Sequence, residues 1–147
     1  MSANQTNREP QVIVNKTLPA TPEEVFDAWT DADEVSAWMA GVMTDPPLVR
    51  IDARDGGTFR IDMDYKGEAL PHTGEYEAVE RPHRLVFSWH SRFTGKGDSV
   101  VEIVLAEKGG QTDFTLTHSG LPEEWVSAHQ DGWAGFADEL GKYLATR

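Results

Sequence analysis

Residues 58–65 read Thr-Phe-Arg-Ile-Asp-Met-Asp-Tyr, and their alternation decides the fold. Phe59, Ile61, Met63 and Tyr65 take one face of an extended segment, while Arg60, Asp62 and Asp64 take the other. Strand side chains point to opposite faces with a period of two, so this segment is predicted to be a half-buried β-strand. The pattern returns downstream. In Arg84–Arg92, Leu85, Phe87 and Trp89 oppose Ser88 and His90. Val101, Ile103 and Leu105 follow, then Phe114 and Leu116 with Thr115 and Thr117 outside. Leu48–Asp52 and His72–Glu80 are strands of weaker alternation, and Gln11–Leu18 is a first strand set apart from the rest. Asp55-Gly56-Gly57, Gly95-Lys96-Gly97-Asp98 and Lys108-Gly109-Gly110 are hairpin-type turns. Short turns join antiparallel neighbours, and a sheet that is apolar on one face must cover that face.

The cover lies at the C-terminus. Pro122, Glu123 and Glu124 make a helix first turn, and Val126, His129, Trp133, Phe136, Leu140 and Leu144 or Tyr143 then recur at helical spacing. Two shorter helices are predicted early in the chain. Thr21, Pro22 and Glu24 form a capping box with proline at the first helical position, ahead of Val25, Phe26, Ala28 and Trp29. Asp31 with Glu34 repeats the signal before Val35, Trp38 and Met39. The predicted architecture is α+β: a curved antiparallel sheet of about six or seven strands around a long C-terminal helix. The order is strand, two helices, six strands, helix.

The chain has 147 residues, which suits one domain, read as 10–147 behind a disordered tail at 1–9. It has no cysteine, which excludes disulfides and thiolate metal sites. The formal charge of −12 argues against binding a phosphate backbone or an anionic membrane. No stretch approaches a membrane span, and residues 1–9 have no signal-peptide character, so a cytoplasmic protein is expected.

Several segments resemble the START-like, or SRPBCC, superfamily. Within it the chain is similar to the family named for the activator of the heat-shock-protein-90 ATPase. The similarity is carried by Thr21-Pro22-Glu23-Glu24-Val25-Phe26-Asp27-Ala28-Trp29-Thr30-Asp31 with Trp38, and by Gly74-Glu75-Tyr76 leading to Arg81-Pro82-His83-Arg84-Leu85-Val86-Phe87-Ser88-Trp89. Thr117-His118-Ser119-Gly120-Leu121 and His129-Gln130-Asp131-Gly132-Trp133 complete it, so that it runs from Val12 to Leu144. The resemblance implies a helix-grip fold and a small hydrophobic molecule held between sheet and helix. It also implies that some superfamily members are cyclases, aromatases or hydrolases. The family name points to stress response. Residues 1–9 leave no room for the extra N-terminal domain of the eukaryotic co-chaperone, so that activity is not expected here.

Strand parity gives the candidate ligand-binding residues. The inward set includes Met63, Tyr65, Tyr76, Phe87 and Trp89, with Phe114 and Leu116, and Trp133 faces it from the helix. A concentration of Trp and Tyr suits an aromatic pocket, and it equally suits a filled core. His118 shares parity with Phe114 and Leu116, His72 shares it with Tyr76, and His129 lies on the helix stripe. These three are candidate polar anchors, with a core histidine satisfied by a neighbour as the plainer alternative. No HxH or HExxH spacing supports a metal site, and no nucleophile elbow or phosphate loop is visible, so neither metal nor cofactor is expected. Three functions stay open: a binding module for a small hydrophobic or aromatic molecule, a cavity enzyme, and a chaperone-accessory interaction domain. The chain is expected as a monomer or homodimer, with no nucleic-acid partner and no membrane insertion.

Overall fold

Residues 9–42 and 45–146 are described by a computed structural model, so the expected tail falls outside it except for Glu9. The elements are β1 (Val12–Leu18), α1 (Pro22–Thr30), α2 (Ala32–Met39), β2 (Leu48–Ile51), β3 (Thr58–Tyr65), β4 (Glu68–Glu80), β5 (Arg84–Ser88), β6 (Val100–Lys108), β7 (Gln111–Ser119) and α3 (Val126–Ala145). This is the predicted order. The seven strands form one antiparallel sheet in the sequence β1-β7-β6-β5-β4-β3-β2, wrapped around α3 as a helix-grip fold. Strands β2 to β7 are each paired with the next, and β1 joins at the far edge beside β7, with Val14 opposite Leu116.

Local chemistry sets the helix starts. Thr21 accepts from the Glu24 backbone N–H at 3.3 Å and the Glu24 carboxylate accepts from the Thr21 N–H at 2.9 Å, completing the capping box. Asp31 caps α2 through the N–H groups of Asp33 and Glu34. The Trp38 indole then donates to the Ala28 carbonyl at 2.8 Å, tying α2 to α1. On the other side, Gln130 of α3 bonds both backbone groups of Ile13, donating to its carbonyl at 3.0 Å and accepting its N–H at 3.3 Å. The helix thereby satisfies backbone of edge strand β1 that would otherwise be free to pair with another chain.

The structure differs from the sequence reading at three places. The strand expected over Arg84–Arg92 ends at Ser88, and only an isolated bridge between His90 and Thr73 continues it. The cause is local: Ser91 and Thr94 trade side-chain and backbone hydrogen bonds with each other, and the Ser91 hydroxyl accepts the Phe93 N–H, which draws the chain out of the ladder. Strand β4 starts at Glu68, ahead of the expected His72, because Lys66 (φ 53°) and Gly67 (φ 84°) make a two-residue turn that pairs β3 along its whole length. Residues Glu123–Trp125 form a 3-10 turn, and the α-helix begins at Val126. A register shift between Tyr76 and Ala78 explains the weak alternation of β4.

Candidate functional site

The first half of α3 stands away from the sheet at the β3–β4 end. Ala128, His129, Gly132, Trp133 and Phe136 recur on one helix face, and Met63, Tyr65, His72 and Trp89 face them. Between them lies an open cleft of about 250 Å³, with Phe93 and Trp125 at its side. Its inner wall is the Trp89–Trp133 pair, with ring centroids 4.9 Å apart. Toward the outside, Tyr65, Phe93 and Trp125 form a run of edge-on contacts, at 6.0 Å and 5.0 Å. Tyr65 is 45% exposed there.

Six of the nine candidate residues therefore share one cleft: Met63, Tyr65, His72, Trp89, His129 and Trp133. The other three do not reach it. Tyr76 and Phe87 lie behind Trp89, around an inner void of about 20 Å³ that Trp29 and Phe59 also line. Phe59 packs on Tyr76 at 5.6 Å and on Phe87 at 5.4 Å, so these rings fill the core. Burial, and secondarily the Asp52 carboxylate, push the Tyr76 phenol above its usual pKa. Phe114 and Leu116 are core as well. Phe93 is invisible to periodicity, as a lone aromatic in a polar connecting segment, whereas Trp125 lies four residues before His129 and extends the helix stripe that the spacing already shows.

His118 is fully buried behind the cleft wall. The Trp133 indole donates to its Nδ1 at 2.9 Å, so Nδ1 carries no proton. The neutral ring must then be protonated at Nε2, which donates to the Ser99 hydroxyl. Burial, with a smaller contribution from His129, lowers its pKa to about 3. It is a satisfied core histidine whose work is to fix the angle of Trp133. His72 is buried beside Trp89 at 5.2 Å and donates through Nδ1 to the Leu70 carbonyl at 3.1 Å. Burial lowers its pKa, against the opposing pull of the Leu70 and Ile61 carbonyls. His129 donates through Nδ1 to the Trp125 carbonyl at 2.8 Å and meets His118 edge-on at 5.2 Å. Among the described residues, no three His, Cys, Asp or Glu side chains are grouped to hold a metal ion.

Glycine is costly in a helix interior, at roughly 0.8–1 kcal/mol relative to alanine, yet α3 has three. A Cβ at Gly141 would meet Lys16 at 3.2 Å, so that glycine lets the helix approach β1. Gly132 has no such reason, since a Cβ there meets nothing within 4 Å. It lines the cleft, and its missing side chain leaves the cleft open.

These features define a helix-grip domain with an aromatic-walled cleft between its sheet and its last helix. The chain belongs to the family of activator of Hsp90 ATPase homolog 1-like proteins, whose model matches residues 19–145. Among solved structures it is similar to CalU16 of Micromonospora echinospora, with 30% identity and a TM-score of 0.69 over 90% of this chain and 74% of that one. It is also similar to DynU16, a protein of the dynemicin biosynthetic locus, with 28% identity and a TM-score of 0.75. That match covers 92% of this chain, which spans about half of DynU16, 47% of its length. An Hsp90 activator of Plasmodium falciparum, PFC0360w, shares the fold at 23% identity, with a TM-score of 0.73 over 90% of this chain and 94% of its own. A search of curated proteins found no match. Among the described residues no helix is long and apolar enough to cross a membrane.

Proposed function

We propose that the protein binds a small hydrophobic or aromatic molecule in this cleft. The observation that carries the reading is an aromatic-walled space of about 250 Å³ bordered by a helix glycine that packing does not require. Small-molecule sites are concave, mostly apolar and furnished with a few polar groups, and here His72 and His129 are those groups. The similarity to CalU16 and DynU16 supports the reading at the level of fold and family. A cytoplasmic setting suits a chain without cysteine.

The test is Gly132→Leu. The new side chain adds bulk at the cleft rim, where a Cβ has open space, while the helix gains about 0.8 kcal/mol of propensity over glycine. The variant should unfold at the same or higher temperature than the wild type. It should also lose the thermal shift that a panel of naphthalene-sized apolar compounds gives the wild type. A panel that shifts both proteins equally places the binding elsewhere, and a panel that shifts neither removes the proposal.

A further inference from the structure

Hydrogen bonding sorts the three histidines by what each offers a ligand. His118 has both ring nitrogens engaged, by Trp133 and Ser99. His72 is held among backbone carbonyls, at Leu70 through Nδ1 and with Ile61 acting on the same ring. His129 shares the Nδ1-to-carbonyl arrangement of His72 but is only half-buried, whereas His72 is buried. The His129 Nδ1 lies 2.8 Å from the Trp125 carbonyl oxygen, which only accepts, so Nδ1 carries the proton. The neutral ring then presents Nε2 as a bare acceptor, and among the described residues nothing donates to it. That nitrogen is not sealed in. The one fully buried, unpartnered side-chain polar atom among the described residues is Trp29 Nε1, so His129 Nε2 is not fully buried, and its residue lines the cleft.

The cleft that His129 lines is bounded by rings: Trp89, Phe93, Trp125, Trp133 and Phe136. A dry void of ~150 Å³ takes one benzene, so about 250 Å³ takes a fused bicyclic aromatic. An aromatic without a donor would cover the Nε2 lone pair and leave it unpaired, which opposes binding. A hydroxyl on the ring would satisfy it.

We propose that the ligand is a hydroxylated aromatic whose O–H donates to His129 Nε2. This rests on the cleft being the small-molecule site and adds the polarity of the contact: the protein accepts, the ligand donates. His129 is then the residue that selects a phenol over its methyl ether of similar shape.

The experiment titrates 2-naphthol and 2-methoxynaphthalene into the wild type, His129→Phe and His129→Gln at pH 8, by calorimetry. On the wild type the naphthol should bind about tenfold tighter than the ether, the value of one satisfied against one unsatisfied hydrogen bond. In His129→Phe the two affinities should converge. In His129→Gln, whose amide oxygen also accepts, part of the preference should return. Imidazole 15N spectra of the wild type give the same answer without substitution, because at saturation the naphthol should move the His129 Nε2 resonance further than the ether does. Equal affinities on the wild type, or a preference that survives in His129→Phe, overturn the role of His129 and leave the cleft as the binding site. If neither probe binds the wild type, the cleft reading fails and this inference fails with it.

Discussion

Replacing His118 with glutamine should flatten the dependence of stability on pH. In the folded protein the His118 imidazole is neutral, with Trp133 donating to one nitrogen and Ser99 accepting from the other, and its pKa falls from 6.5 to about 3. In the unfolded chain the same ring takes up a proton near pH 6.5. Below that pH the unfolded state binds more protons than the folded state, so stability falls as the pH falls. The stability at stake is fully present above pH 6.5 and is lost as the pH drops toward about 3. Each pH unit in that window costs about 1.4 kcal/mol for one proton, so the loss by pH 5 is roughly 2 kcal/mol. Above pH 5 most carboxylates remain charged, which keeps the window clean. His118→Gln keeps an acceptor for Trp133 and a donor for Ser99 but does not titrate. His72, also lowered by burial, adds a loss of the same sign to both proteins and cancels in the difference. Urea denaturation of both proteins at pH 7, 6 and 5 measures the effect. The variant should be less stable at pH 7, and the gap should close by about 2 kcal/mol by pH 5. Parallel stability curves would refute the buried neutral imidazole.

Two further outcomes follow from the same geometry. Trp133→Phe keeps a ring in the cleft wall but leaves His118 Nδ1 buried without its donor, and it should cost about 1–3 kcal/mol. It should leave the pH slope in place, because burial, the main cause of the lowered His118 pKa, remains; a flattened slope would contradict that cause. Gly74→Ala places a Cβ 1.9 Å from the Ser88 carbonyl oxygen and 2.6 Å from the Phe59 ring. Backbone cannot yield as a flexible side chain can, so the urea midpoint should drop by an amount equivalent to about 1–3 kcal/mol with an unchanged m-value.

The fold was legible because its signals are local and repeated. Phe59, Ile61, Met63 and Tyr65 on β3, and Leu85, Phe87 and Trp89 around β5, announce one inward face, and Trp133, Phe136, Leu140 and Leu144 announce the helix that covers it. Parity also placed His118 inward, where the structure buries it completely. The cleft was legible only in part. Parity tells which face a side chain takes but not how far along the sheet it lies, and that distance separates Met63 and Trp89 in the cleft from Tyr76 and Phe87 behind it. Phe93 sits in an irregular segment, where no period exists to read. The early end of β5 depends on hydroxyl groups of Ser91 and Thr94 competing with the ladder, a contest that composition does not reveal. The Lys66-Gly67 turn was missed because lysine, with φ 53°, occupies a left-handed position that asparagine or glycine usually fills.

A small molecule bound in the cleft between sheet and helix would report itself directly through the five tryptophans. Trp89, Trp125 and Trp133 line the cleft, Trp29 lies behind it, and Trp38 is buried with its N–H on the Ala28 carbonyl. In a 15N-labelled sample titrated with 2-naphthol, the indole resonances of Trp89, Trp125 and Trp133 should shift and saturate together, while Trp38 stays in place. Saturable shifts confined to other residues, or no saturable shift at all, would show that the cleft is not the binding site.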